Sequence, residues 1–165
     1  MVIPDVSVDG TTNYESVTLQ LNLATGAFSI LDATPKDTSF SPTALGTMSA
    51  GGIKVDFHGC ARSGHNQITC LTKVVSPNKD AGISAFTSDL YDNLSKKYSS
   101  SSITALDKES GFSVLLQFVA IQGIPIEVKF IYDDIDPSAS SISTFQPEFV
   151  LNGANVKGNF RNIDF

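Results

Sequence analysis

Tryptophan is absent, and cysteine and histidine occur twice each, all four inside FHGCARSGHNQITC, Phe57 to Cys70. So few imidazoles and thiols leave the usual catalytic triads with almost no members to draw on. No GxSxG, HExxH or dinucleotide fingerprint occurs, and GTMSAGG, though glycine-rich, lacks the Lys-Ser/Thr ending of a phosphate loop. Lys and Arg are missing between Met1 and Pro35, where Asp5, Asp9, Glu15 and Asp32 are the only charges. There is also no uninterrupted apolar run. FSVLLQFVAIQGIPIEVKFIY is broken by Gln117, Gln122, Gly123 and Pro125 and carries Glu127 and Lys129, which makes it two strands and not a membrane span. MVIPDVSVDGTTNY has no basic start, apolar core or small-residue cleavage site, so it does not read as a secretory signal and predicts synthesis in the cytosol.

What is present describes a folded globule. The 165 residues are 41% hydrophobic and 17% charged, too apolar for disorder, and eleven phenylalanines supply a packed interior. That length suits one well-buried core. The expected division is an N-terminal arm, hairpin and linker over residues 1–49 and a β-sandwich domain over residues 50–165. A formal net charge of −6 opposes adsorption to phosphate backbones and anionic lipid, so neither nucleic acid nor membrane is an expected partner.

Apolar residues alternate in short runs separated by Gly, Pro, Ser and Asn clusters, and the helical period rarely appears. Val17, Leu19, Leu21 and Leu23 of VTLQLNL share one face, and ATG turns the chain into AFSILDA, predicting a hairpin. PKDTSFSPTALGTMSAGG reads as a linker. GIKVDFHG places Ile53, Val55 and Phe57 inward and Lys54, Asp56 and His58 outward. QITCLTKVV returns, and ISAFTSDLYDN follows as a shorter, more polar strand. SDLYDNLSKKY offers the one plausible helical turn. GFSVLLQFVAIQ and IPIEVKFIYDD, meeting at QG, are the strongest strands and look central, with IDPSASSIS a soft segment before TFQPEFVLNG and NVKGNFRNIDF. About seven strands are expected in the domain, an all-β antiparallel sandwich.

Pairing by symmetry about His65 sets Cys60 opposite Cys70, with a bulge at Gly59 turning Cys60 inward. The two thiols then form either a hairpin staple or an inert buried pair. Zinc is disfavoured because no CxxC-type pair occurs and His65 at a turn tip is badly placed to share a site with His58. A nucleophilic cysteine would need a base and a pocket, and His58 lies on an outward position. The loop acids Asp89 and Asp92 beside Asn93, and Asp133, Asp134 and Asp136, lack EF-hand spacing and read as solvated turn residues. Asn93 begins a chance-frequent glycosylation sequon. No catalytic, cofactor-binding or metal-ligating residue is assigned, and the chain reads as a non-enzyme.

FHGCARSGHNQITC and FRNIDF, with DLYDN followed by Lys and Tyr, resemble immunoglobulin-like β-sandwich modules of cyanobacterial type: a strand ending in Gly-Cys, an Arg-x-Gly turn, a returning Cys strand and a Phe-Arg-Asn close. Joined to an extension that carries no export signal, the domain is similar to head-decoration (cement) proteins of tailed phages that infect cyanobacteria. That resemblance implies an immunoglobulin-like sandwich with an N-terminal β-hairpin extension. It further implies a homotrimer on the capsid surface of the virion, made in the host cytoplasm, that bridges major capsid protein subunits without a cofactor. Val17, Leu19, Leu21, Leu23 and Phe28 are then the candidates for subunit or capsid docking, with VTLQLNL adding a strand to a neighbour's sheet edge. Two other addresses suit the same features: a partner-binding module of a cell-surface or exported protein, and a phage tail subunit.

Overall fold

The computed structural model describes residues 2–8, 12–22, 26, 28–35, 40–64, 66–110 and 115–165. These residues form strands joined by turns, and no helix occurs among them. The first three strands, β1 (Val2–Val8), β2 (Thr12–Leu21) and β3 (Phe28–Pro35), make an antiparallel sheet of their own in the order β1-β2-β3. The predicted hairpin is β2–β3, with Leu21 opposite Phe28, and β1 is a third strand that the hairpin reading did not include.

The remaining strands build two antiparallel sheets packed face to face as a β-sandwich. They are β4 (Gly46–Ala50), β5 (Ile53–Gly64), β6 (Gln67–Val75), β7 (Ala81–Asp92), β8 (Lys97–Ser99), β9 (Ser102–Ala105), β10 (Lys108–Ser110), β11 (Leu115–Ala120), β12 (Ile126–Tyr132), β13 (Ser141–Leu151), β14 (Ala154–Lys157) and β15 (Phe160–Asp164). One sheet runs β10-β9-β12-β6-β5-β4. The other runs β11-β7-β13-β14, with β8 on β7 and β15 on β13.

Alternation dictates the core, because successive side chains of a strand point to opposite faces. Ile126, Val128, Phe130 and Tyr132 of β12 point inward from one sheet; Phe145, Phe149 and Leu151 of β13 meet them from the other. Phe130 sits edge-on to Phe145 and Phe149 at centroid distances of 5.6 and 5.7 Å, and Phe57 stacks on Phe160 at 4.6 Å. Each such ring contributes about 1.5–3 kcal/mol by leaving water.

Several local expectations are corrected. The domain has twelve described strands and not about seven, since pieces of three to five residues such as β8, β9, β10 and β14 are too short to show a period. The linker reading fails from Gly46 onward, where β4 pairs along β5 from Gly46 opposite Phe57 to Ala50 opposite Ile53. ISAFTSDLYDN lies in β7, which is no minor strand: it spans twelve residues and runs between β11 and β13. No helical turn forms after it, because the buried Asp92 carboxylate ties the chain into a tight turn leading to β8. Of the two strong strands that meet at QG, β12 is central, but β11 lies at the edge of the opposite sheet. The soft segment is pinned: Ile135 is buried, and the Arg62 guanidinium donates to the Ala139 carbonyl at 2.6 Å.

Candidate functional site

The cysteine hairpin is held by a bulge and a disulfide. Gly59, at φ 108, carries a bulge between Phe57 and Gly59, where a left-handed backbone suits glycine, and the extra residue turns Cys60 into the core. Cys60 lies directly opposite Cys70, and the two are joined by a disulfide. Each sulfur is therefore spent on the other, and neither is a thiolate for zinc or for nucleophilic attack. His65 lies outside the described residues.

His58 was expected outward and is buried. Its ring Nδ1 sits 2.7 Å from the Ser41 carbonyl, to which it must donate because a carbonyl only accepts, while the Ser41 amide donates back to the His58 carbonyl at 2.9 Å. The bulge at Gly59 disturbs the alternation, and the incoming segment at Ser41 covers the face that sequence parity assigns to solvent. His58 is a clasp on that segment. Beside it, burial pushes the Asp56 carboxyl up, but hydrogen bonds from Lys54 and Thr47 outweigh burial and hold it below the ordinary carboxylate range.

Asp92, read as a solvated turn acid, is buried and accepts from the amides of Leu94 and Lys96 and from the Tyr98 hydroxyl. Three donors to one carboxylate make it the anchor of the β7–β8 turn. Asn93 uses its side-chain oxygen to accept from Ser140 N and its amide to reach Ser140 Oγ, stitching that turn to the segment before β13. Asp136 accepts from the Ser138 hydroxyl and amide, which hold its carboxyl low, Asp133 accepts from Gln67, and Asp89 pairs with Lys97. Asp89, Asp92, Asp133 and Asp136 are thus dispersed among structural partners, while Asp134 sits in the turn after β12 at φ 56. No group of three or more His, Cys, Asp or Glu among the described residues is placed to hold a metal ion.

One polar pair sits in the core itself. Tyr132 and Ser88, both buried, share a hydrogen bond across the two sheets, and burial pushes the Tyr132 phenol far above its ordinary range against the lowering effect of Ser88. Among the described residues no buried side-chain nitrogen or oxygen lacks a partner. The buried polar side chains among the described residues are thus partnered within the fold.

The docking candidates fall in the N-terminal sheet. Val17, Leu19 and Leu21 occupy alternate positions of β2, Phe28 opens β3, and Leu21 is exposed; Leu23 lies outside the described residues. β2 is the middle strand, paired with β1 on one side and β3 on the other, but within VTLQL only Val17 and Thr18 pair on both sides; Leu19, Gln20 and Leu21 pair with β3 alone among the described strands. β1 and β3 are the outer strands of this sheet, and VTLQL beyond Thr18 has no described strand on its β1 side.

Two surface hollows accompany these features. A groove of about 560 Å³ runs along β15, lined by Leu45, Phe57, Phe160, Arg161 and Asn162. A smaller hollow of about 280 Å³ lies at one end of the sandwich, between Leu106, Pro125, Glu127 and Lys129. Neither gathers a catalytic constellation. No family model and no curated protein matches the chain.

Proposed function

We propose that the protein is a non-enzymatic structural subunit of a virus particle, a capsid decoration protein that stiffens the shell by bridging major capsid protein subunits. The observation that carries this reading is a division of labour within one chain. A disulfide-stapled sandwich spends its buried polar groups on its own fold, while β1–β3 form a separate sheet whose outer strands have no further pairing partner among the described strands. A sheet with unpaired edges is a template for pairing with another chain. The N-terminal segment is also free of cations, which suits docking against a basic surface. The resemblance of the cysteine hairpin and of FRNIDF to immunoglobulin-like sandwich modules of cyanobacterial type, joined to the N-terminal extension, supports the same reading.

The test is light scattering and co-sedimentation of the purified chain with purified capsid shells at several salt concentrations. Binding to shells that weakens with salt is the expected result, and removal of residues 1–35 abolishes it. A chain that stays in the supernatant at every salt concentration sinks the proposal. In that event the disulfide favours a partner-binding module of a cell-surface or exported protein, since such bonds persist in oxidising surroundings.

A further inference from the structure

Charge is unevenly divided along this chain. All eleven Lys and Arg follow Pro35, whereas residues 1–35 carry four acids and no base. Six of the ten described cations are engaged: Lys54 with Asp56, Lys73 with Glu127, Lys97 with Asp89, Lys96 over the Tyr98 ring, Arg62 on the Ala139 carbonyl and Lys108 on the Gln117 carbonyl; Lys79 lies in the connection before β7 and Lys129 in the central strand β12, away from any sheet edge. Lys157 and Arg161 are different. Both are exposed, neither has an ion-pair partner among the described residues, and they stand on consecutive edge strands, β14 and β15.

Other sheet edges are poorer acceptors. β8 and β10 are three residues long, and the edge of β11 is capped where the Lys108 ammonium donates to the Gln117 carbonyl at 3.3 Å. β4 carries no charge along its length and lies against β14 of the facing sheet. β15, by contrast, spans five residues and pairs with β13 alone, so its outer N–H and C=O groups have no strand partner. The 560 Å³ groove runs beside that edge, and its wall includes Leu45, 59% exposed, which gives an added strand an apolar seat. Glu148 and Asp164 are the acids nearby. Glu148 accepts from the Asn155 amide, and Asp164 ends β15.

We infer that the β15 edge, with Lys157 and Arg161 and the Leu45 groove, accepts strand β1 of a second copy of this chain, so that the N-terminal sheet joins subunits by β-augmentation. The inference rests on the reading of β1–β3 as an assembly element and names its acceptor. Two matches support it. β1 is an edge strand of seven residues, and it carries Asp5 without any cation, the sign that Lys157 and Arg161 attract. Main-chain pairing supplies the affinity and the charges supply the choice of edge.

The experiment measures the mass of the full-length chain by sedimentation equilibrium, without shells, for wild type, Lys157→Glu/Arg161→Glu, and the same pair combined with Asp5→Lys. Expected are a self-associating wild type, a charge-reversed pair weakened by at least about tenfold, and recovery of most of that loss when Asp5 is reversed as well. Lys157 stands opposite Glu148, so its reversal sets like charges across β13–β14 and the thermal midpoint of each variant is recorded beside its mass; Arg161→Glu alone, opposite Thr144, tests the same edge without that repulsion. Leu45→Asp provides a second route to the same loss through the groove. A monomeric wild type, or an oligomer indifferent to both the charge reversal and Leu45→Asp, overturns the inference. Shell co-sedimentation is scored separately, so loss of the β15 contact and failure of the capsid reading give different results.

Discussion

Two pairs of consecutive strands, β5–β6 and β11–β12, are each joined by a short connection, yet they end in opposite arrangements. β5 and β6 form a hairpin within one sheet, closed by the Cys60–Cys70 disulfide. β11 and β12 part company at Ile121–Pro125 and enter different sheets, β11 beside β7 and β12 between β6 and β9. The difference lies in parity. Residues opposite each other in a hairpin share a face, and Cys60 and Cys70 are both inward. A two-residue turn at Gln122-Gly123 would set inward Phe118 against Glu127 and Leu116 against Lys129. That pairing places buried and solvent-facing side chains on one face, so the chain crosses the sandwich instead, with Gly123 at φ 72 and Ile124 N donating to Ile121 O at 3.1 Å. A short turn makes two strands neighbours in sequence; which faces they bury decides whether they pair.

The largest effect is expected where β12 is held from across the core. Phe130→Ala removes the ring that meets Phe145 and Phe149 and is expected to cost about 3–5 kcal/mol in urea unfolding. A loss below about 1 kcal/mol would mean that β12 is secured by its in-sheet partners β6 and β9 and not by the facing sheet. The hairpin is broken next. Replacing Cys60 and Cys70 together by Ala opens a short loop and is expected to cost about 3 kcal/mol, with the alternation of β5 and β6 preserved. Unchanged stability of the double variant would show that strand pairing alone holds the hairpin.

The smallest effect at neutral pH sharpens the comparison through the tyrosine at the end of β12. Tyr132 has its phenol pushed up by burial, so its contribution to stability is complete below the unfolded-state value near ~10 and is lost as pH rises above it. Tyr98, raised mainly by burial and also facing Asp92, acts in the same direction. Unfolding free energy should therefore fall with pH above about 10, and Tyr132→Phe should flatten that slope while costing only about 1 kcal/mol at pH 7 through the lost Ser88 bond. An alkaline slope identical in the variant would show that Tyr132 does not carry it.

Much of this architecture was legible from alternation. The inward sets of β5, β6 and β12 can be read from Ile53, Val55 and Phe57, from Ile68, Cys70, Thr72 and Val74, and from Ile126, Val128 and Phe130, all of them buried. Parity also held the signal that separates β11 from β12, although their proximity at QG suggested two central strands side by side. The site was less legible. His58 and Asp92 both fall where local pattern predicts exposure, and both are buried by partners that no local pattern names: Ser41, seventeen positions away, and Tyr98 across the β8 turn. Short edge strands such as β8 and β14 escaped notice because three or four residues cannot establish a period.

By itself, the sequence determined the all-β class, the faces of the long strands and the acidic, cation-free character of the N-terminal segment, because a side-chain period and a charge count are local properties. Only the tertiary structure decided which sheet each strand joined, which polar groups were buried as clasps, and that the β15 edge was left open beside Lys157 and Arg161. Those outcomes depend on surfaces brought together from distant parts of the chain, where burial and hydrogen-bond satisfaction must be met at once.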